Sequence, residues 1–144
     1  IGILMAIAIP TFLGAQKSAQ DRSAQSDLRN LLTSEVSYYT SNQSYATAAQ
    51  LAGEDPSYTQ QLTGTTPTIK VSVVAASGTA PDAVCISEVS KTGTLWGIEA
   101  VSSGSNAGTW YYQDTTAGTW TCSASPAAST TNPLMSQQAS AVGF

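Results

Sequence analysis

Residues 1–40 read IGILMAIAIPTFLGAQKSAQDRSAQSDLRNLLTSEVSYYT, and the change of character along this stretch decides the fold. From Ile1 to Leu13 nearly every side chain is apolar and none is charged. From Ala24 onward apolar residues fall at Leu28, Leu31, Leu32, Val36 and Tyr39, the spacing that lines one face of a helix with about 3.6 residues per turn. Asp21, Arg22, Gln25, Ser26, Asp27, Arg29 and Asn30 fill the polar positions between. The stretch predicts one unbroken helix, apolar over 1–13 and amphipathic over 14–40. At about 1.5 Å per residue it spans roughly 60 Å, more than the width of a domain of this size, so part of it protrudes.

Thirteen residues are too few to cross a bilayer, which needs about 20. The apolar end is then either a buried element or the visible end of a longer apolar segment. Ala6-Ile7-Ala8 imitates a signal-peptide cleavage site, but the helical period continues past it with no flexible junction. A plain core helix fails on burial, because residues 1–13 are apolar all round and the remainder is too small to surround them.

The run Gly2-Ile3-Leu4-Met5-Ala6-Ile7-Ala8-Ile9-Pro10-Thr11-Phe12, continuing into an amphipathic helix, resembles the N-terminal helix of type IV pilins and the related pseudopilins. The resemblance covers about the first 45 residues, through Tyr38-Tyr39-Thr40-Ser41-Asn42 and Tyr45. The family's mature chain begins about a dozen residues further upstream, with an N-methylated aromatic residue and an acidic side chain that have no counterpart here. The resemblance implies an α+β fold, a long helix whose C-terminal half packs on an antiparallel head. It also implies a bacterial filament subunit that polymerises through Ile1, Gly2, Ile3, Leu4, Met5, Ile7, Ile9, Pro10, Phe12 and Leu13.

Charge bears on what such a head can bind. The formal net charge is −4, from 5 basic and 9 acidic residues. On the helix Lys17, Arg22 and Arg29 cancel Asp21, Asp27 and Glu35. The head sets Lys70 and Lys91 against Glu54, Asp55, Asp82, Glu88, Glu99 and Asp114. An acidic surface offers little to phosphates, so no direct nucleic-acid binding is expected. Charged residues are only 10% of the chain, and a surface of Ser and Thr hydroxyls in their place fits a secreted or cell-surface protein. Asn42-Gln43-Ser44 matches an N-glycosylation string; in a bacterial protein such a string is usually a loop.

Along the chain, the helix is expected to end near Thr40. Residues 41–67 connect it to the head, with a short helix at Ala48–Ala52 capped by Thr47 and stopped at Gly53. Pro56 bars its continuation, and the segment with Gly64 and Pro67 reads as loop. From Thr68 the period becomes 2, and residues 68–122 read as an antiparallel meander. Ile69, Val71, Val73 and Ala75 share one face of the first strand. Further strands are expected at Ala83–Ser90, Thr94–Val101, Thr109–Gln113 and Thr119–Cys122. The stripe from Ala24 to Tyr39 covers the sheet's apolar face.

The helix–sheet core is therefore expected to contain Leu28, Leu31, Leu32, Val36 and Tyr39 with Trp96, Trp110 and Trp120. The tryptophans lie on alternating strands, where large rings usually fill a core. Tyr111, of opposite parity to Trp110 and Tyr112, is expected to be the exposed aromatic.

Cys85 and Cys122 are the two cysteines, and the chain has no His and no third thiol, so no metal site is read from them. Joined, they would add about 4 kcal/mol in the chain-entropy view and place the head in an oxidising compartment. The alternative is two buried free thiols. A disulfide in the C-terminal half of the head is what the pilin resemblance implies.

Residues 123–144, rich in Ser, Ala and Thr with Pro126 and Pro133, read as a flexible tail. Leu134, Met135, Val142 and Phe144 are expected to order only against filament neighbours. No motif points to catalysis or a cofactor. Glu54-Asp55 reads as a solvated turn, and Glu88 and Glu99, on neighbouring strands, form no carboxylate pair unless a cleft joins them.

The sequence thus reads as a structural subunit of an extracellular type IV pilus filament on the cell surface. The expected partners are identical subunits, the assembly machinery and, before assembly, the inner membrane. A minor pilin or secretion-system pseudopilin is the neighbouring alternative. A membrane-tethered binding module using the tryptophans is the more distant one.

Overall fold

The computed structural model describes residues 2–77, 82–116, 118–126, 133–138 and 141–144, with the backbone alone for residues 2–11. Helix α1 runs Gly2–Asn42, continuous through Pro10. It stops where Gln43 turns left-handed at φ 56, while the Gln43 amide still bonds the Tyr39 carbonyl at 2.8 Å. Helix α2 (Ala48–Glu54) follows Thr47. The Gln50 side chain accepts from the Thr47 amide at 2.9 Å and from its hydroxyl at 2.8 Å. Pro56 starts a 3₁₀ turn, Pro56–Tyr58, that leads into α3, Thr59–Thr63. The segment expected to be loop is thus half helical. Proline lacks only an amide that the first turn leaves unpaired anyway, so it ends one helix and begins the next.

Five antiparallel strands form one sheet in the order β1-β2-β3-β4-β5. They are β1 Ile69–Val74, β2 Ala83–Val89, β3 Leu95–Val101, β4 Gly108–Asp114 and β5 Leu134–Ser136. The fold class is α+β, one long helix laid on an antiparallel sheet. The fifth strand is not where the alternation placed it. Residues 119–122 form no strand, and Leu134–Ser136 from the expected tail pairs with β4 through Tyr111↔Ser136, Tyr112↔Met135 and Gln113↔Leu134.

The register puts Ile69, Val84, Ile86, Trp96, Ile98 and Ala100 on the face that meets α1, in one core with Ala24, Leu28 and Leu31. Trp96 is buried there, and Leu32 and Tyr39 pack against this core. Val36 does not. It is 50% exposed, and Glu35, 0% exposed, takes the buried place on the stripe. A helical turn of 3.6 residues carries the buried row from Leu28 and Leu31 to position 35, and the residue type there is polar.

Trp110 and Trp120 are not in this core either. Trp110, Ala83 and Val101 form a second cluster on the opposite face, with Val74, Ala124 and Met135 packed around it. The Trp120 ring stacks on Tyr112 at 4.8 Å between centroids and 8° between planes. Tyr111, the expected exposed aromatic, faces α1 instead, with its ring 5.0 Å from that of Phe144. Each face of the sheet thus carries a packed cluster. Residues 118–126 lie over that outer face, and Leu134–Ser136 extends the sheet at its edge, so these segments pack within the single chain.

Ile1, the side chains of 2–11, residues 78–81 and 117, and tail residues 127–132 and 139–140 lie outside the described residues.

Candidate assembly surface and the buried carboxylates

Helix α1 has two regimes. Every side chain from Phe12 to Ala19 is exposed, Phe12 at 64% and Leu13 at 52%. Of the expected assembly residues, these two are described, and both stand clear of the head. The other expected assembly residues, Ile1, Gly2, Ile3, Leu4, Met5, Ile7, Ile9 and Pro10, lack described side chains.

Docking begins at Asp21. Its Oδ1 accepts from the Ser90 hydroxyl at 2.6 Å, the Thr92 hydroxyl at 2.5 Å and the Trp96 indole at 3.4 Å, which ties the helix to the β2–β3 turn. Further along, Asp27 Oδ1 accepts from Tyr58 at 2.9 Å, and Asn30 donates to the same phenol oxygen at 3.2 Å. The C-terminal residues strap the helix from the other side. Gln25, itself buried, donates to the Gly143 carbonyl at 3.0 Å. Val142 is 1% exposed. Phe144 meets Trp96 edge-on at 5.3 Å and lies under the Arg29 guanidinium at 5.7 Å.

Three carboxyls sit inside this framework, and burial pushes each up to about 7. Glu35 accepts the Ala46 amide at 2.8 Å through Oε2, while Oε1 has no partner. Glu88, half-buried beside the charge of Asp27, faces a groove of about 430 Å³ between α1 and β2. Glu99 is 0% exposed and makes no hydrogen bond of ordinary geometry, although the nearby Ser123 amide partly offsets its burial. Glu88 pairs with Trp96 and Glu99 with Cys85 across β2 and β3. The two glutamates therefore lie on opposite faces of the sheet, and no carboxylate pair forms.

Cys85 and Cys122 form a disulfide. It anchors residues 118–126 to the outer face, where Cys85 is buried and Cys122 half-buried. Beside it, Gly97 lies under the Trp120 ring so closely that a Cβ would enter the indole.

Among the described residues no helix is long and apolar enough to cross a membrane. Comparison with known protein families, curated proteins and solved structures finds no match. Buried acids at 35 and 99 were not legible as such, since an isolated glutamate reads as a solvated charge. The only signal is that Glu35 falls one helical turn from Leu31, and Glu99 falls between apolar residues in a strand.

Proposed function

We propose that this chain is a structural subunit of an extracellular type IV pilus filament and assembles with copies of itself through the apolar end of α1. One observation carries the reading. The same helix that buries one face from Ala24 to Glu35 exposes Phe12 and Leu13 to solvent, beside a head that has a packed cluster on each face of its sheet. Covering a side chain of that size is worth about 1.5–3 kcal/mol, and a bundle of identical helices supplies the cover. The near cancellation of charge along α1 lets like helices approach without repulsion.

In this mechanism the apolar end sits in the inner membrane until the assembly machinery withdraws it, exchanging lipid for neighbouring helices. Heads form the outer surface at the cell exterior. Pro10 leaves the Ala6 carbonyl without its helical donor, and Gly2 adds backbone freedom, so this end loses helical order when packed and lets the filament extend. The acidic head leaves direct nucleic-acid binding outside this function.

Electron cryomicroscopy of filaments sheared from the source cells tests this. The expected density has residues 1–40 bundled at the axis and the disulfide-closed heads outside. Filaments built from another protein, or none at all, overturn the reading. Phe12→Asp and Leu13→Asp variants are expected to fold with native circular dichroism and to be missing from the filaments.

A further inference from the structure

Glu99 is the least reconciled group in the molecule. It lies in the central strand β3, 0% exposed, and neither oxygen makes a hydrogen bond of ordinary geometry, the Ser123 amide being its nearest polar support. A buried carboxylate without partners is costly and rare. Its cross-strand neighbour is Cys85, and Cys85 is joined to Cys122, so register and disulfide together bring three metal-binding side chains to one point. One carboxylate oxygen and the two sulfurs lie within 4.8 Å of one another.

We infer that when the Cys85–Cys122 disulfide is reduced, the two thiolates and the Glu99 carboxylate bind a single thiophilic divalent cation, Zn²⁺ by ligand chemistry. Two sulfurs and one oxygen suit Zn²⁺, at about 2.3 Å from sulfur and about 2.0–2.2 Å from oxygen. A tetrahedral ion with those bonds sets its ligands roughly 3.5–3.8 Å apart. The carboxylate oxygen lies within 4.8 Å of both sulfurs, so reaching that spacing requires the two sulfurs to part after reduction. Cys122, half-buried, opens the site toward solvent and leaves the fourth position to water. The Ser123 amide beside Glu99 remains as a second support for the carboxylate.

The chemistry balances in two steps. A phosphine reductant gives two electrons to the S–S bond, and one water supplies the two protons that complete the thiols and the oxygen with which the phosphine leaves as its oxide. The cation then displaces both thiol protons, and any proton on Glu99, into solvent. The oxidised chain has a covalent S–S bond where the ion would sit, so metal and disulfide are mutually exclusive. This inference does not depend on the filament reading.

The test uses the whole chain, reduced anaerobically with a water-soluble trialkylphosphine and titrated with Co²⁺, then Zn²⁺. Expected are one Co²⁺ per chain, thiolate-to-cobalt absorption in the near ultraviolet, tetrahedral bands in the visible, and displacement of Co²⁺ by Zn²⁺. Oxidised protein is expected to show none of these. Glu99→Gln is expected to weaken Co²⁺ binding by roughly tenfold or more, and Glu99→Asp to regain part of that loss. Zn²⁺ is expected to raise the melting temperature of the reduced wild type and to leave that of reduced Glu99→Gln nearly unchanged. Reduced protein without the cobalt bands overturns the inference. Equal affinity in Glu99→Gln does so too, as does a reduced chain that loses its native circular dichroism and fails to recover it with Zn²⁺.

Discussion

Glu35, wholly buried on α1, accepts the backbone amide of Ala46 at 2.8 Å and so closes the chain reversal between α1 and α2. A carboxylate does this work at a burial cost, because the second oxygen has no partner. Glu35→Gln keeps an acceptor for Ala46 without the charge, and is expected to change stability by less than about 1 kcal/mol at pH 4, where the acid is protonated in both states, and to stabilise at pH 8. Glu35→Ala strands the Ala46 amide and leaves a void, and is expected to cost about 2–4 kcal/mol. Denaturant unfolding of the three proteins decides it. Equal losses in Gln and Ala would mean that the charge itself holds the turn.

The three raised carboxyls fix the direction of the pH dependence. Below the unfolded value of 4.5 Glu35, Glu88 and Glu99 are protonated in both states. Between 4.5 and about 7 the unfolded chain has released these protons and the folded chain still holds them, so stability falls as pH rises. Above about 7 both states are ionised and the loss is complete. Each fully buried acid, Glu35 and Glu99, contributes a fall of about 3 kcal/mol, and half-buried Glu88 less. Unfolding free energies measured from pH 5 to pH 8 should therefore decline and then level. Glu35→Gln with Glu99→Gln should flatten most of that slope, and a stability that rises over this range contradicts the burial account.

Gly97 and Trp120 give a test of the second core. The indole occupies the space a Cβ at 97 would need, so Gly97→Ala must push a ring that is stacked on Tyr112. The expected cost is about 1–3 kcal/mol. In a Trp120→Ala background the same change is expected to cost well under about 1 kcal/mol, because the obstacle is gone. The difference between the two backgrounds, read as a double-mutant cycle, vanishes if residues 118–126 only lie loosely on the sheet.

The helix and strands β1 to β4 were legible because each is a repeated signal, a period near 3.6 in α1 and of 2 in the sheet. What escaped the sequence is decided by tertiary partners. Val36 and Glu35 are adjacent, and hydropathy favours the wrong one, since the Ala46 amide that satisfies Glu35 belongs to another segment. Trp110 and Trp120 read as core and are packed, yet on the far face, which parity assigns only once the side facing α1 is known. Strand β5 is three residues long, Leu134–Ser136, within a Ser- and Ala-rich run too short for any period. The cluster of Cys85, Glu99 and Cys122 depends on strand register together with a disulfide. Neither is local.

Phe144 tests whether the last residues are part of the fold. Its ring contacts Trp96 and Tyr111 on the sheet and sits under Arg29 of α1, so it bridges the two layers where Gln25 also holds Gly143. Phe144→Ala removes these ring contacts and the Arg29 stacking together. It is expected to cost about 2–3 kcal/mol, less than a fully buried phenylalanine because the ring is half-exposed. Trp96 loses its edge-on neighbour, so fluorescence is expected to shift in the folded protein. Protease cleavage within residues 133–144 is expected to become faster at the same protein and protease concentrations. Wild-type stability and an unchanged cleavage rate in Phe144→Ala would mean that composition had described the tail correctly and that the strap contributes nothing to holding α1 on the sheet.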